Sequence, residues 1–159
     1  MNGKKASNQG FTLVELIVVI AIFVILFSTA VMVIGDTLNR HNLKNEGNQI
    51  VQTLREARTN AVAGRFNSKW GVYLNTSTNP DSYILFKGNT YSSRDSDYDL
   101  IRVFPSAVSF SNISISGGSE IVFDVRGGGT DNIGSLRLVT SNDQFGISVN
   151  RLGLIDYNI

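Results

Sequence analysis

Cysteine is absent from the 159 residues, so the chain can build no disulfide, no thiolate nucleophile and no acylated lipoprotein anchor. Histidine occurs once, at His41. One imidazole among charged neighbours and no thiol leave no Ser-His-Asp, Cys-His or His-rich metal arrangement. Proline occurs only at Pro80 and Pro105, so nothing in the first half forces a helix to break. Excess charge of either sign is also missing, with 14 Lys+Arg against 13 Asp+Glu. Nucleic-acid binders usually show a basic patch or stripe, and these totals supply no case for one. Gly127-Gly128-Gly129-Thr130 lacks the Gly-Lys-Ser/Thr ending of a phosphate-binding loop and reads as a flexible turn between strands. Together these gaps remove the common enzyme classes and the motor ATPases.

What the chain has is an apolar segment with one charge at its edge. The run Gly10-Phe11-Thr12-Leu13-Val14-Glu15 opens it, and Leu16 to Ile34 adds 19 residues without a charge. At a helical rise of 1.5 Å these span roughly 28 Å, about the thickness of a bilayer hydrocarbon core. An acid carried to the bilayer centre costs on the order of 2.5–3.5 kcal/mol, so acids there are rare and usually paired. Glu15 is therefore a candidate functional residue.

A short basic leader (Lys4, Lys5) ending in Gly10, then Phe11, then Glu15, then an apolar helix resembles the class III signal peptide of type IV pilins and type II secretion pseudopilins. The resemblance implies that a membrane-embedded prepilin peptidase cuts between Gly10 and Phe11 on the cytoplasmic side. Phe11 then becomes the N-methylated N-terminus, and Glu15 the assembly carboxylate that meets the N-terminal amine of a neighbouring subunit. Such a pairing would offset the burial cost of both charges. Many pilins close a C-terminal loop with a disulfide, and this chain departs from them. The family often has a helix-weakening Gly or Pro late in the membrane segment, but Val24 to Met32 contains neither and Gly35 is the nearest weak point.

Two other readings of the segment compete. An ordinary single-pass anchor would show the same apolar run without needing Gly-Phe-x-x-x-Glu. A secretory signal peptide would find a small-x-small site at Ser28-Thr29-Ala30, yet the apolar run continues past it through Val31-Met32-Val33-Ile34. Basic residues flank the span on both sides (Lys4 and Lys5 before, Arg40 and Lys44 after), so charge bias leaves orientation open.

Beyond the apolar run, Leu43, Gly47, Ile50, Leu54, Ala57 and Ala61 recur at spacings of 4, 3, 4, 3 and 4, flanked by Val51 and Val62. This is a helical stripe, and with a β-rich region following it the stripe is read as intramolecular core rather than coiled coil. The helix is expected from Phe11 to Ala63, on the order of 80 Å long, with Gly64 as its stop. After Arg65 the period changes to two. Trp70/Val72/Leu74, Tyr83–Phe86, Leu100–Phe104, Val108/Phe110, Ile113/Ile115, Ile121/Phe123/Val125, Leu136/Leu138 and Phe145/Ile147/Val149 read as strands, with a bulge near Ser111-Asn112 to reconcile opposite phases. Seven or eight short strands after one long helix indicate an α+β fold.

The order of these segments, from Leu54-Arg-Glu-Ala-Arg58 through Trp70 and Ile121-Val-Phe-Asp-Val-Arg-Gly127 to Gly134-Ser-Leu-Arg-Leu138 and Ile147-Ser-Val-Asn-Arg-Leu-Gly153, is similar to the GspH/FimT group of minor pilins and pseudopilins. That resemblance implies a long N-terminal helix packed on two antiparallel β-sheets. It also implies a non-enzymatic subunit with no cofactor. Its partners would be the prepilin peptidase, other pilin subunits, an inner-membrane assembly platform and, before assembly, membrane lipid. The expected organisation is a leader at 1–10, a membrane or filament-core helix at 11–35, an amphipathic extension at 36–65 and a β-rich domain at 66–159. The leader would be cytoplasmic and the β domain extracytoplasmic.

Two further candidates come from the second half. Asp95, Asp97 and Asp99 alternate like part of a calcium loop but lack its glycine and distal Glu, so they read first as a solvated acidic loop paired with Arg94. Some members of the group bind DNA through basic residues after a C-terminal glycine. Here Gly153 is followed by Leu154-Ile155-Asp156, which leaves DNA binding as the alternative, resting on Arg151.

Overall fold

The computed structural model describes residues 11–158, with the side chains of 29–34 and 36 outside that description. The chain divides into two units, Met1–Thr37 and Leu38–Ile159. A single helix, α1 (Leu13–Val62, 50 residues), contributes to both. No proline interrupts it, and it runs through Gly35 and Gly47 without a break. Its stop is where the sequence puts it: Gly64 adopts φ 61°, and its N–H donates to the carbonyl of Ala61 at 2.9 Å.

Eight strands follow in the second unit. The first sheet has the order β3-β2-β1-β5, built from β1 (Trp70–Asn75), β2 (Ser82–Lys87), β3 (Asp95–Val103) and β5 (Glu120–Phe123). The second has the order β4-β6-β7-β8, from β4 (Ser109–Ile115), β6 (Gly134–Val139), β7 (Gln144–Val149) and β8 (Ile155–Asn158). Every pairing is antiparallel. The fold is α+β, a long helix followed by two four-stranded sheets.

One core joins these elements. Leu43, Ile50, Leu54, Ala57 and Ala61 of the helix stripe are buried together with Val72 and Leu74 of β1, Ile121 and Phe123 of β5, and Leu138 and Phe145 of the second sheet. Gly47 has a steric purpose in the stripe, because a Cβ there would lie 2.6 Å from the Phe145 ring. The helix backbone thus rests against β7. Arg58 ties the helix end to both sheets: Nε donates to Gly128 O after β5 at 3.1 Å, and Nη2 to Leu152 O after β7 at 3.4 Å.

The bulge expected near Ser111-Asn112 is present as a register shift between Phe110 and Asn112. Four readings need correction. Asp95 to Asp99 is not a loop but the first half of β3, held in register by Lys87 opposite Asp95. β8 lies beyond the last strand the periodicity suggested. Val125 falls in a turn closed by Asp124 N–H to Gly129 O at 2.8 Å and Gly128 N–H to Asp124 O at 2.9 Å. That turn is packed rather than free, with Gly128 buried against Val62, and Val62 itself is 43% exposed.

Glu46, on the stripe's border, is half-buried near Arg102 and Tyr83. Burial pushes its carboxyl above the usual range, with Arg102 partly opposing the shift. Burial and the Glu46 charge together push the Tyr83 hydroxyl up to about 12. A carboxylate whose folded pKa is raised favours folding below its unfolded pKa and loses that contribution as pH rises through the folded value. Glu46→Gln is therefore expected to raise the Tm at pH 7, with the gain vanishing in melts run below pH ~4. Gly47→Ala should destabilise the second unit by about 1–3 kcal/mol in chemical denaturation, because the new methyl must displace the Phe145 ring.

Candidate assembly site on the N-terminal helix

The first turn of α1 is organised by Thr12. Its carbonyl accepts from Leu16 N–H at 3.2 Å, and its Oγ1 accepts from Glu15 N–H, also at 3.2 Å. Thr12-Leu13-Val14-Glu15 has the Thr-x-x-Glu spacing of a capping box, which satisfies donors that a helix start otherwise leaves unpaired. The acid also lies in the turn where the helix dipole is positive. Sequence reasoning singled out Glu15 and missed Thr12, although the three-residue spacing was there to be read. Gly10 lies outside the described residues, and Phe11 precedes the helix with 81% of its surface exposed.

From Leu13 to Phe27 the large apolar side chains are all exposed, from 41% at Val19 to 73% at Leu13. No face of this stretch is polar, so it is unlike an amphipathic surface helix, whose apolar stripe covers only part of its circumference. Just beyond it, the Ser28 hydroxyl is satisfied locally, since its Oγ donates to Ile25 O at 2.8 Å. Phe23 and Phe27 stack one turn apart, with centroids 6.2 Å apart. Among the described residues no helix is long and apolar enough to cross a membrane. The run from Leu16 to Ile34 continues into residues 29–34, whose side chains lie outside the description.

The acidic trio is not brought together as a ligand set. Asp95 Oδ2 lies 2.8 Å from Lys87 Nζ, and that hydrogen bond holds its carboxyl below the usual range against the opposing effect of burial. Asp99 Oδ2 accepts from Arg94 Nε at 2.7 Å, as the Arg94 pairing anticipates for one of the three acids. Asp97 is exposed, and its N–H donates to Asp95 Oδ1 at 3.3 Å. Among the described residues no three His, Cys, Asp or Glu side chains converge as a metal site. His41 is exposed on α1.

At the C-terminal end Gly153 adopts φ 71° and is buried, and a Cβ there would strike the Gly128 carbonyl. Its glycine is therefore required by packing between the two post-strand turns. Arg126 and Arg151 stand exposed around this junction: Arg126 N–H donates to Ala61 O at 2.8 Å, and Arg151 O accepts from Thr130 N–H at 3.1 Å.

Residues 5–31 match the prokaryotic N-terminal methylation motif. Residues 46–153, about two thirds of the chain, match the type II transport protein GspH. No curated protein and no solved structure matches the chain.

Proposed function

The chain belongs to the type II transport protein GspH family, and from that premise we propose that it is a minor pilin or pseudopilin built into a type IV pilus or type II secretion filament through Phe11–Ile34. Members of these pilin families are structural, non-enzymatic subunits that carry a prepilin leader. The observation that carries the finer reading is the all-round exposure of the apolar side chains from Leu13 to Phe27 beside a single carboxylate. Among the described residues nothing in their own unit covers these side chains, so on this reading lipid covers them before assembly and neighbouring helices afterwards.

The proposed sequence has three steps. The leader holds the precursor in the inner membrane with its N-terminus cytoplasmic and the β domain on the other side. Prepilin peptidase then cuts between Gly10 and Phe11, and the new Phe11 amine is methylated. Finally, an assembly platform draws the helix out of the lipid, and Glu15 pairs with the N-terminal amine of a neighbouring subunit. That charge pair makes burial of both groups tolerable in a medium of low dielectric.

Glu15 has two roles to separate, since it also stands at the Glu position of the Thr-x-x-Glu spacing. Glu15→Gln keeps a capping-competent side chain and removes the charge. The expected outcome is normal processing of both Glu15→Gln and Glu15→Ala, with neither entering filaments, read by immunoblot of sheared filaments. Incorporation of Glu15→Gln at the wild-type level would remove the charge from the mechanism.

The second reading is a DNA-binding subunit of an uptake pilus, and it draws on Arg126 and Arg151. Both are exposed near the helix end, and neither takes part in the ion pairs of the described residues. A gel shift at two salt concentrations tests it. Binding that weakens steeply with salt would favour this reading, and no shift at low salt ends it.

A further inference from the structure

The two sheets expose four edge strands, and they are not equally protected. β3 carries Asp95, Asp97, Asp99 and Arg102, β5 carries Glu120 and β8 carries Asp156. β4, Ser-Phe-Ser-Asn-Ile-Ser-Ile, has no charged residue and no proline. Charges and prolines on an edge are the usual devices against unwanted strand pairing, and β4 lacks both.

The free side of β4 can be assigned from its hydrogen bonds. Ser116 N–H donates to Ile133 O at 2.9 Å, continuing the ladder toward β6. Alternation along an antiparallel strand then turns Ser114 and Asn112 toward β6, and the N–H and C=O of Ile113 away from it. The two ends of the free side are closed: Asp81 Oδ2 accepts from Phe110 N–H at 2.8 Å, and Ile115 O accepts from Gly118 N–H at 3.0 Å. Between these stops, Ser111 to Ser114 border an open groove of about 1020 Å³ whose other walls include Thr76, Ile133 and Arg151. Ile113 and Ile115, half-buried, and Ile133, 38% exposed, give the groove apolar surface beside the unpaired backbone.

We infer that this groove receives an extended segment of a neighbouring filament subunit, which adds to β4 as a fifth strand of the second sheet. The outward N–H and C=O of Ile113 suit pairing with another extended backbone, with side chains at alternate positions meeting the groove wall. The segment is uncharged over the four or so residues opposite Ser111–Ser114, because a charge there would be desolvated with no partner on β4. This inference rests on the filament reading, which makes other subunits the neighbours that the edge meets.

The absence of cysteine provides a clean test in the full chain. Ser111→Cys, labelled with a photoactivatable cross-linker in the native host, is expected to capture a filament subunit through an uncharged extended peptide, identified by mass spectrometry. Adding Asn112→Lys and Ser114→Lys, both at exposed positions, should cut the yield by about tenfold or more by charging the edge. Ser135→Lys with Ser148→Lys, exposed on the interior strands β6 and β7, should leave it unchanged. Tm measurements on all variants establish that the fold is intact. If the chain is present in filaments but Ser111→Cys captures nothing, or the edge lysines leave the yield at its original level, strand addition is wrong and the filament reading stands. Absence from filaments, with capture of an unrelated protein or of none, overturns both.

Discussion

Exposed apolar surface has to be covered by something, and this requirement governs the stretch from Leu13 to Phe27. From Leu13 to Phe27 the helix has no polar face, and its large apolar side chains are all exposed. Burying such side chains is worth roughly 1.5–3 kcal/mol each, so water is a poor solvent for so many together. Lipid and neighbouring helices of the same kind are interchangeable solvents for them, which is what a subunit that leaves a membrane for a filament needs. On the proposed reading, Glu15 is the group that would tell the two environments apart. In lipid it is a cost, whereas beside a neighbour's N-terminal amine it is half of an ion pair.

The Leu38–Ile159 unit holds its shape by a different division of labour. Its part of α1 is amphipathic, and the stripe from Leu43 to Ala61 enters the same core as the inner residues of both sheets. With no disulfide available, the staples are close packing and hydrogen bonds. Gly47 lets the helix backbone meet Phe145, and Arg58 joins the turns after β5 and β7 through two carbonyls. Gly153 and Gly128 pack where no side chain fits, so the C-terminal glycine is explained by the junction between sheets.

The parts of this fold that could be read from sequence are those in which periodicity and burial coincide. The helix stripe, its stop at Gly64, the bulge beside Ser111 and the central strands all have apolar residues at the spacing their element dictates. The misread parts are edges. β3 starts with three aspartates because Lys87 and Arg94 neutralise two of them, which makes a strand out of residues whose composition says loop. β8 is four residues with one half-buried position, too short to carry a pattern. At the candidate site, Glu15 stood out because a charge in an apolar run is costly. Thr12 did not, because its role is a backbone hydrogen bond that hydropathy does not register. The pairing of the acids at β3 was half legible, through Arg94, while the Lys87 partner comes from a cross-strand register that only the fold creates.

The proposed function requires that the chain be processed to place Phe11 at the head of a helix bound for a filament. The most direct measurement is the N-terminal mass of the protein isolated from its native membrane. A mature chain beginning at Phe11 with one added methyl group is the predicted result. A chain beginning at Val31, or one that retains residues 1–10, would contradict it.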